Sequence, residues 1–288
     1  VGVQFRDQND TVLLELPLSF RLEGEDQPQS VSGVIVPGRD GQVPDAARLE
    51  PRSLTVSGVL VEDSAQAADD TFRSWAGILS GRTLRLYPGV ESQRYILVRY
   101  RRLSRSFVEH SGRMLARVQI ELQADEPYWL GATQTYQFDV MSSGQQATIH
   151  NPGTRRAAPL ITIYGQTVGG VNTVNPKLEN LTTGDVVELA LSLGLGDGAR
   201  VYPIYERIGV ERGHIGTVPV LLFLGMVEQY QGWGDELVSP NNALEAINDE
   251  WLANGFFLAP GDNVIRYSDG AESCHQAAVI FEWIPAWS

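Results

Sequence analysis

Cysteine occurs once, at Cys274, so no intrachain disulfide can form and one chain cannot supply a thiolate metal cluster. Lysine also occurs once, at Lys177, which leaves arginine as 21 of the 22 basic residues. Arginine makes planar, multi-donor contacts suited to interfaces, although a codon bias would give the same composition. Positive charge is scarce overall: 22 basic residues face 35 acidic ones, a net charge of −13. So acidic a chain lacks the basic footprint that general nucleic-acid binding needs. Long apolar runs are missing too. The longest, Val218 to Val227, contains Pro219 and Gly225 and is too short to span a bilayer. The opening residues, Val1-Gly2-Val3-Gln4-Phe5, do not read as a basic region followed by an apolar one, so a soluble protein without a membrane partner is expected.

Catalytic and metal-binding patterns are equally absent from the sequence. It has no P-loop, HExxH, EF-hand loop or GxSxG. Gly194-Leu195-Gly196-Asp197-Gly198 is glycine-rich but reads as a turn. The four histidines, His110, His150, His214 and His275, are scattered, and neighbouring Cys274 and His275 would point to opposite faces of a strand. The acidic pairs Asp235-Glu236 and Asp249-Glu250 read as solvated loop acids. No catalytic residue, cofactor site or metal site is predicted.

What the sequence does have is β structure in a chain of two-domain length. Its 288 residues are 43% hydrophobic, with 29 Gly, 15 Pro, 6 Trp and 10 Tyr, a turn-dense composition. Val12 to Leu16, Val31 to Val36, Ser53 to Leu60 and Thr83 to Tyr87 read as strands, with a turn at Pro37-Gly38-Arg39-Asp40-Gly41. One helix is predicted: Asp63 or Ser64 caps it, Ala68, Phe72, Trp75 and Leu79 form its apolar stripe, Asp69 and Asp70 favour its dipole, and Gly81 stops it. Tyr95 to Ser106 and Arg113 to Ala124 read as a long hairpin joined across Glu109-His110-Ser111-Gly112. In its second arm Met114, Ala116, Val118, Ile120, Leu122 and Ala124 alternate with Leu115, Arg117, Gln119, Glu121 and Gln123.

That hairpin concentrates the positive charge. From Arg94 to Arg117 the sequence holds Arg94, Arg99, Arg101, Arg102, Arg105, Arg113 and Arg117 against one acid, Glu109. The patch reads as a solvated outer face, as a candidate subunit interface with an acidic neighbour or, third, as a nucleic-acid contact, for which it lacks the helix or stacking-aromatic pattern of a dedicated reader. Asp125-Glu126-Pro127-Tyr128-Trp129-Leu130-Gly131 ends the strand, and Val140 to Gln146 reads as a linker. The predicted domains are therefore 1–139 and 140–288. In the second, Ala147 to His150, Pro159 to Tyr164, Asp185 to Leu193, Val218 to Val227 and Ala278 to Ile284 read as strands of a sandwich, and Ala243 to Leu252 as a short helix. His150-Asn151-Pro152 is only superficially like the His-x-Asn-Pro-Arg signature of galectins. Trp233, a weak candidate sugar or partner contact, lacks the Glu-x-Arg that would complete a lectin site.

These features, in this order, resemble the distal tail proteins of long-tailed, non-contractile bacteriophages. The N-terminal likeness lies in the Pro37 to Gly41 turn, the Arg52 to Leu60 strand, the single Phe72/Trp75 helix, the arginine-rich hairpin and the Asp125 to Gly131 ending, where Glu126 is an extra residue. The C-terminal likeness lies in Ile149-His150-Asn151-Pro152-Gly153-Thr154, Ala158-Pro159-Leu160-Ile161-Thr162-Ile163, Leu258-Ala259-Pro260-Gly261-Asp262-Asn263-Val264-Ile265 and the closing Val279 to Trp287. Residues 200 to 255 match no part of that pattern and read as an insertion.

The resemblance implies a mainly β fold. It comprises an N-terminal β-sandwich-like domain with one helix and a long hairpin, followed by a C-terminal galectin-like β-sandwich. It also implies a structural, non-enzymatic role without cofactors, in a hexameric ring at the virion tail tip, made in the host cytoplasm. Such a ring would join the tail-tube protein to the tail-tip hub protein, pass DNA without binding it specifically, and hold receptor-binding or side-fibre proteins. The alternative is a carbohydrate-binding module or glycan hydrolase built on the C-terminal sandwich.

Overall fold

The computed structural model describes residues 2–24, 29–30, 33–35, 42–44, 48–49, 51–89, 92–110, 113–166, 172–194, 197–201, 227–230, 241–242, 255–270 and 276–288. They fall into two compact units, one through Leu130 and one from Gly131 to Trp287. Both are mainly β.

The first unit is a seven-stranded antiparallel sheet with one helix against it. Its strands are β1 (Gln4–Arg6), β2 (Val12–Glu15), β3 (Arg21–Glu23), β4 (Arg52–Glu62), β5 (Thr83–Tyr87), β6 (Ile96–His110) and β7 (Arg113–Ala124). Their order across the sheet is β2-β1-β5-β6-β7-β4-β3. Helix α1 (Ala65–Leu79) starts where the Ser64 hydroxyl accepts the Ala67 N–H at 3.2 Å, an N-cap. Gly81, at φ 77°, lies just past its end. Ala68, Phe72, Trp75 and Leu79 are its buried residues, as their spacing predicts. They pack on the sheet's inner face, formed by residues such as Leu54, Val56, Val98, Val118 and Ile120. Asp69 departs from its expected role: it is held by two arginines, not by the helix terminus.

Gly58 has a packing reason. A Cβ there would sit 2.4 Å from Cγ of Phe20, whose buried ring meets Trp75 edge-on at 5.7 Å. Glycine lets the Phe20 ring lie directly against β4.

The second unit is a sandwich of two antiparallel sheets. One holds β8 (Gln134–Val140), β10 (Leu160–Gln166), β13 (Gly198–Val201), β14 (Val227–Tyr230), β15 (Asn241–Asn242) and β17 (Gln276–Trp283) in the order β8-β17-β10-β13-β14-β15. The other holds β9 (Gln146–Asn151), β11 (Lys177–Asn180), β12 (Val186–Glu188) and β16 (Gly261–Ser268) in the order β9-β16-β11-β12. Between them lies a core that includes Phe138, Ile149, Ile163, Leu178, Ile265, Tyr267, Val279 and Phe281. Two expectations change here. Gln134–Val140, placed at the end of the first domain by the sequence, pairs along its whole length with β17, and Val140 to Gln146 is a tight connection between sheets: Gly144 donates to the Tyr267 carbonyl at 2.8 Å. Asp185 to Leu193 is two short strands, because the Leu191 N–H donates to the Leu189 carbonyl at 2.9 Å and turns the chain between them.

Three buried asparagines hold this unit's loops to its strands. Asn263 accepts from the Ala259 N–H at 2.8 Å and donates to the Ala259 and Gly261 carbonyls at 2.8 and 3.0 Å. Asn180 donates to Asn263 Oδ1 at 3.1 Å and to the Phe257 carbonyl at 2.8 Å, and accepts from Thr182 N–H. Asn151 donates to the Arg155 and Leu258 carbonyls and accepts from Gly153 N–H. Buried amides so fully paired fix loop geometry, and truncating one strands its partners.

The Pro37 to Gly41 turn, most of residues 200–255 including the Ala243 to Leu252 segment, Trp233, His214, Cys274 and His275 lie outside the described residues. Two outcomes are expected in chemical denaturation. Asn263→Ala lowers stability by about 2–4 kcal/mol through stranded polar groups. Gly58→Ala lowers it by about 1–3 kcal/mol through overpacking against Phe20.

Candidate assembly surface

β6 and β7 form the long hairpin, and their register contains one irregularity. Tyr100 pairs with Leu122 and Arg102 with Glu121, so Arg101 is an extra residue, a β-bulge. Alternation has period two, so one extra residue reverses which side chains face the helix. Before the bulge, buried Ile96 and Val98 and half-buried Tyr100 face the core. After it, Leu103, Arg105 and Phe107 lie opposite Ile120, Val118 and Ala116, on that same face.

The bulge divides the seven predicted interface arginines. Arg105 turns to the helix, where it forms an ion pair with Asp69 and places its guanidinium 5.1 Å from the Phe72 ring centre and 5.5 Å from that of Phe107. Asp69 is also held by Arg73 at 2.8 Å. Arg105 thus braces the hairpin against α1. Arg99, Arg102 and Arg117 register with Gln123, Glu121 and Ser106 on the opposite, outer face. Arg99 forms an ion pair with Asp125, and Arg101 donates to the Gln123 side-chain carbonyl. Arg94 is exposed in the loop before β6, where its N–H donates to the Ser92 hydroxyl. The Arg113 backbone closes the hairpin opposite His110, and both side chains lie outside the description.

β6 also outruns its neighbour. β5 covers only Ile96 to Arg99, so among the described residues Tyr100 to His110 has a strand on one side alone. A long unpaired edge is a template for pairing with another chain, and charged side chains along it limit which chain can join. Exposed Arg101, Arg102, Ser106 and Phe107 line this stretch.

Further along the same sheet, a charged cluster ties β1, β2 and β5 together. Asp10 accepts from Arg6 at 2.9 Å and from the Tyr87 hydroxyl at 2.7 Å, with Arg85 at 3.5 Å. Burial alone would raise the Asp10 pKa, but Tyr87, Arg6 and Arg85 together hold it below the ordinary value. Burial, with the bond to Asp10, pushes Tyr87 up to about 12. Arg6 and Arg85 lie over Tyr87 and Tyr95, 4.3 and 4.8 Å from the ring centres. This cluster is a brace of matched partners. Glu126 differs: burial, then repulsion from Asp125, raises its pKa.

In the second unit, His150 Nδ1 and Asp262 Oδ1 meet at 2.7 Å across β9 and β16, both well exposed. Among the described residues no group of three or more His, Cys, Asp or Glu side chains could hold a metal ion, and no helix is long and apolar enough to cross a membrane. Asp69 gave no sequence signal as a partner of the hairpin, since only the packing of α1 on the sheet brings it to Arg105.

No protein-family profile matches the sequence, and no curated protein is significantly similar to it. Solved structures do match. The crystal structure of the Dit protein of phage SPP1, titled a paradigm of the hub adsorption apparatus in phages infecting Gram-positive bacteria, has a TM-score of 0.64. The likeness covers 99% of each chain at 11% identity. A chain of the phage P2 baseplate in its activated conformation with Ca has a TM-score of 0.43, covering 99% of this chain and 98% of that one at 7% identity. The first likeness establishes the fold: both units of this chain, in order, follow the fold of a phage distal tail protein.

Two outcomes test the local chemistry. Arg105→Ala loosens the hairpin from α1 and costs about 1 kcal/mol, read by chemical denaturation. Glu126 prefers its proton more in the folded than in the unfolded state, so its charge costs stability as pH rises through the folded value. Glu126→Gln therefore melts higher than the native chain at neutral pH, and the difference disappears by about pH 3.5, where the carboxyl is protonated in both states.

Proposed function

We propose that this chain is a distal tail protein of a long-tailed, non-contractile phage, a structural component of the virion tail tip. Its copies close into a hexameric ring between the tail-tube protein and the tail-tip hub protein. The first unit, which the sequence division ends at residue 139 and the structure at Leu130, builds the ring. The second, beginning at residue 140 in the sequence division and at Gly131 in the structure, is a galectin-like sandwich on which receptor-binding or side-fibre proteins are mounted. DNA passes through without specific binding, in keeping with a net charge of −13. The role is architectural and needs neither catalysis nor a cofactor.

The observation that carries this reading is the likeness in fold over the whole chain. Strand pairing supports it. A monomer with an arginine-bearing edge that, among the described residues, is unpaired from Tyr100 to His110 has a surface suited to another copy, and the acid-rich remainder of the chain supplies the opposite charge.

Electron microscopy of the purified chain, alone and on tail tubes, should show six-fold rings. Reversing Arg99, Arg101 and Arg102 to Glu should abolish them while thermal unfolding changes little, because exposed ion pairs such as Arg99–Asp125 contribute about 1 kcal/mol or less. A triple variant that assembles like the native chain, with the same salt dependence, removes the hairpin from the interface. Specific micromolar glycan binding would instead favour the carbohydrate-binding alternative.

A further inference from the structure

The outer face of the first unit's sheet contains a groove of about 580 Å³ across β3, β4, β7 and β6. Arg21 and Arg117 stand in it with Ser57, Ser104, Ser106 and Gln119, and exposed Val59 adds an apolar surface. Strand register sets this assembly: Arg21 lies opposite Ser57, Ser57 opposite Gln119, Gln119 opposite Ser104, and Arg117 opposite Ser106. Four strands thus place guanidinium, hydroxyl and amide groups on one concave surface. The Arg101 bulge puts the Ser104 and Ser106 side chains on this face; Arg105 between them also lines the groove, with its guanidinium paired to Asp69.

Some of the groove's donors are spent: the Ser19 hydroxyl donates to the Val59 carbonyl at 2.8 Å, and Arg105 is paired with Asp69. The Ser57 hydroxyl donates to Glu23 at 2.8 Å. Among the described residues neither Arg21 nor Arg117 has an ion-pair partner, whereas Arg6, Arg85, Arg99 and Arg105 each have one. No carboxylate belongs to the lining itself, and Glu23 reaches its edge through Ser57. Two free guanidinium forks beside hydroxyls match the planar, two-oxygen geometry of a carboxylate.

We propose that this groove receives a carboxylate-bearing segment of a second copy of the chain. The inference rests on the ring-forming role proposed above and adds a second contact to it. Two observations select this occupant. The chain carries 35 acidic residues against 22 basic ones, so another copy is a ready source of carboxylates. The groove is also continuous with the unpaired β6 edge, since Ser104 and Ser106 belong to both. A partner joining that edge brings its side chains over this face.

The test compares the full-length native chain, Arg21→Glu/Arg117→Glu and Arg21→Ala/Arg117→Ala by sedimentation over a range of concentration and salt, with circular dichroism to verify folding. Self-association should weaken roughly tenfold per arginine removed, more on reversal than on truncation, and lose much of its salt dependence. Self-association unchanged in both folded variants but lost on reversing Arg99, Arg101 and Arg102 overturns the groove and leaves the ring reading intact. A native chain that stays monomeric at the highest attainable concentration and on tail tubes overturns both. Binding of inorganic phosphate or an oligonucleotide that disappears in the Arg21/Arg117 variants, without any effect on self-association, assigns the groove to phosphate and also overturns the proposal.

Discussion

Strand alternation has a period of two, and one inserted residue in β6 shifts its phase. Arg101 occupies the extra position between Tyr100 and Arg102. Upstream of it, β6 lies between β5 and β7 and buries Ile96 and Val98. Downstream, among the described residues, the strand continues with β7 alone, turns Arg105 and Phe107 toward the helix and leaves Ser104 and Ser106 on the outer face. Had the chain kept its phase, Arg102 would face the apolar side of the sheet, opposite buried Ile120. Burying an unpaired guanidinium there costs several kcal/mol, in the general range of a buried charge without a partner. The bulge avoids that cost and determines which cations brace the fold and which remain for a partner.

Much of the first unit was legible in the sequence because its signals are local. The helix has a cap, a stripe and a stop within a few turns, and β7 alternates cleanly over its length. β6 was legible as a strand but not in phase. An extra arginine among arginines leaves no mark in composition, so seven residues read as one patch when strand register separates them. The groove was invisible for a related reason: Arg21, Ser57, Ser104 and Arg117 are far apart in the chain and meet only through pairing across β3, β4, β7 and β6.

In the second unit, the motifs carrying the family resemblance acquire a mechanical explanation. Leu258-Ala259-Pro260-Gly261-Asp262-Asn263 turns back on itself because the Asn263 amide bonds to both Ala259 and Gly261. His150-Asn151-Pro152-Gly153 does the same through Asn151 and Gly153. The two turns adjoin, since Asn151 pairs with Gly261 where β9 meets β16. The strands between such motifs were harder to read. Gln134–Val140 is half polar, and Asp185 to Leu193 continues its apolar rhythm through a turn that rhythm alone does not reveal.

The unpaired stretch of β6 has one more consequence, in symmetry. Two copies approaching through this same edge would bring their exposed Arg101 and Arg102 close together, and like charges across a ladder repel. Two-fold, self-complementary dimers through this edge are therefore disfavoured. A contact that this edge could accept would be with a different surface of a neighbour, and a contact between unlike surfaces repeats from copy to copy until it closes into a circle or runs on as a filament.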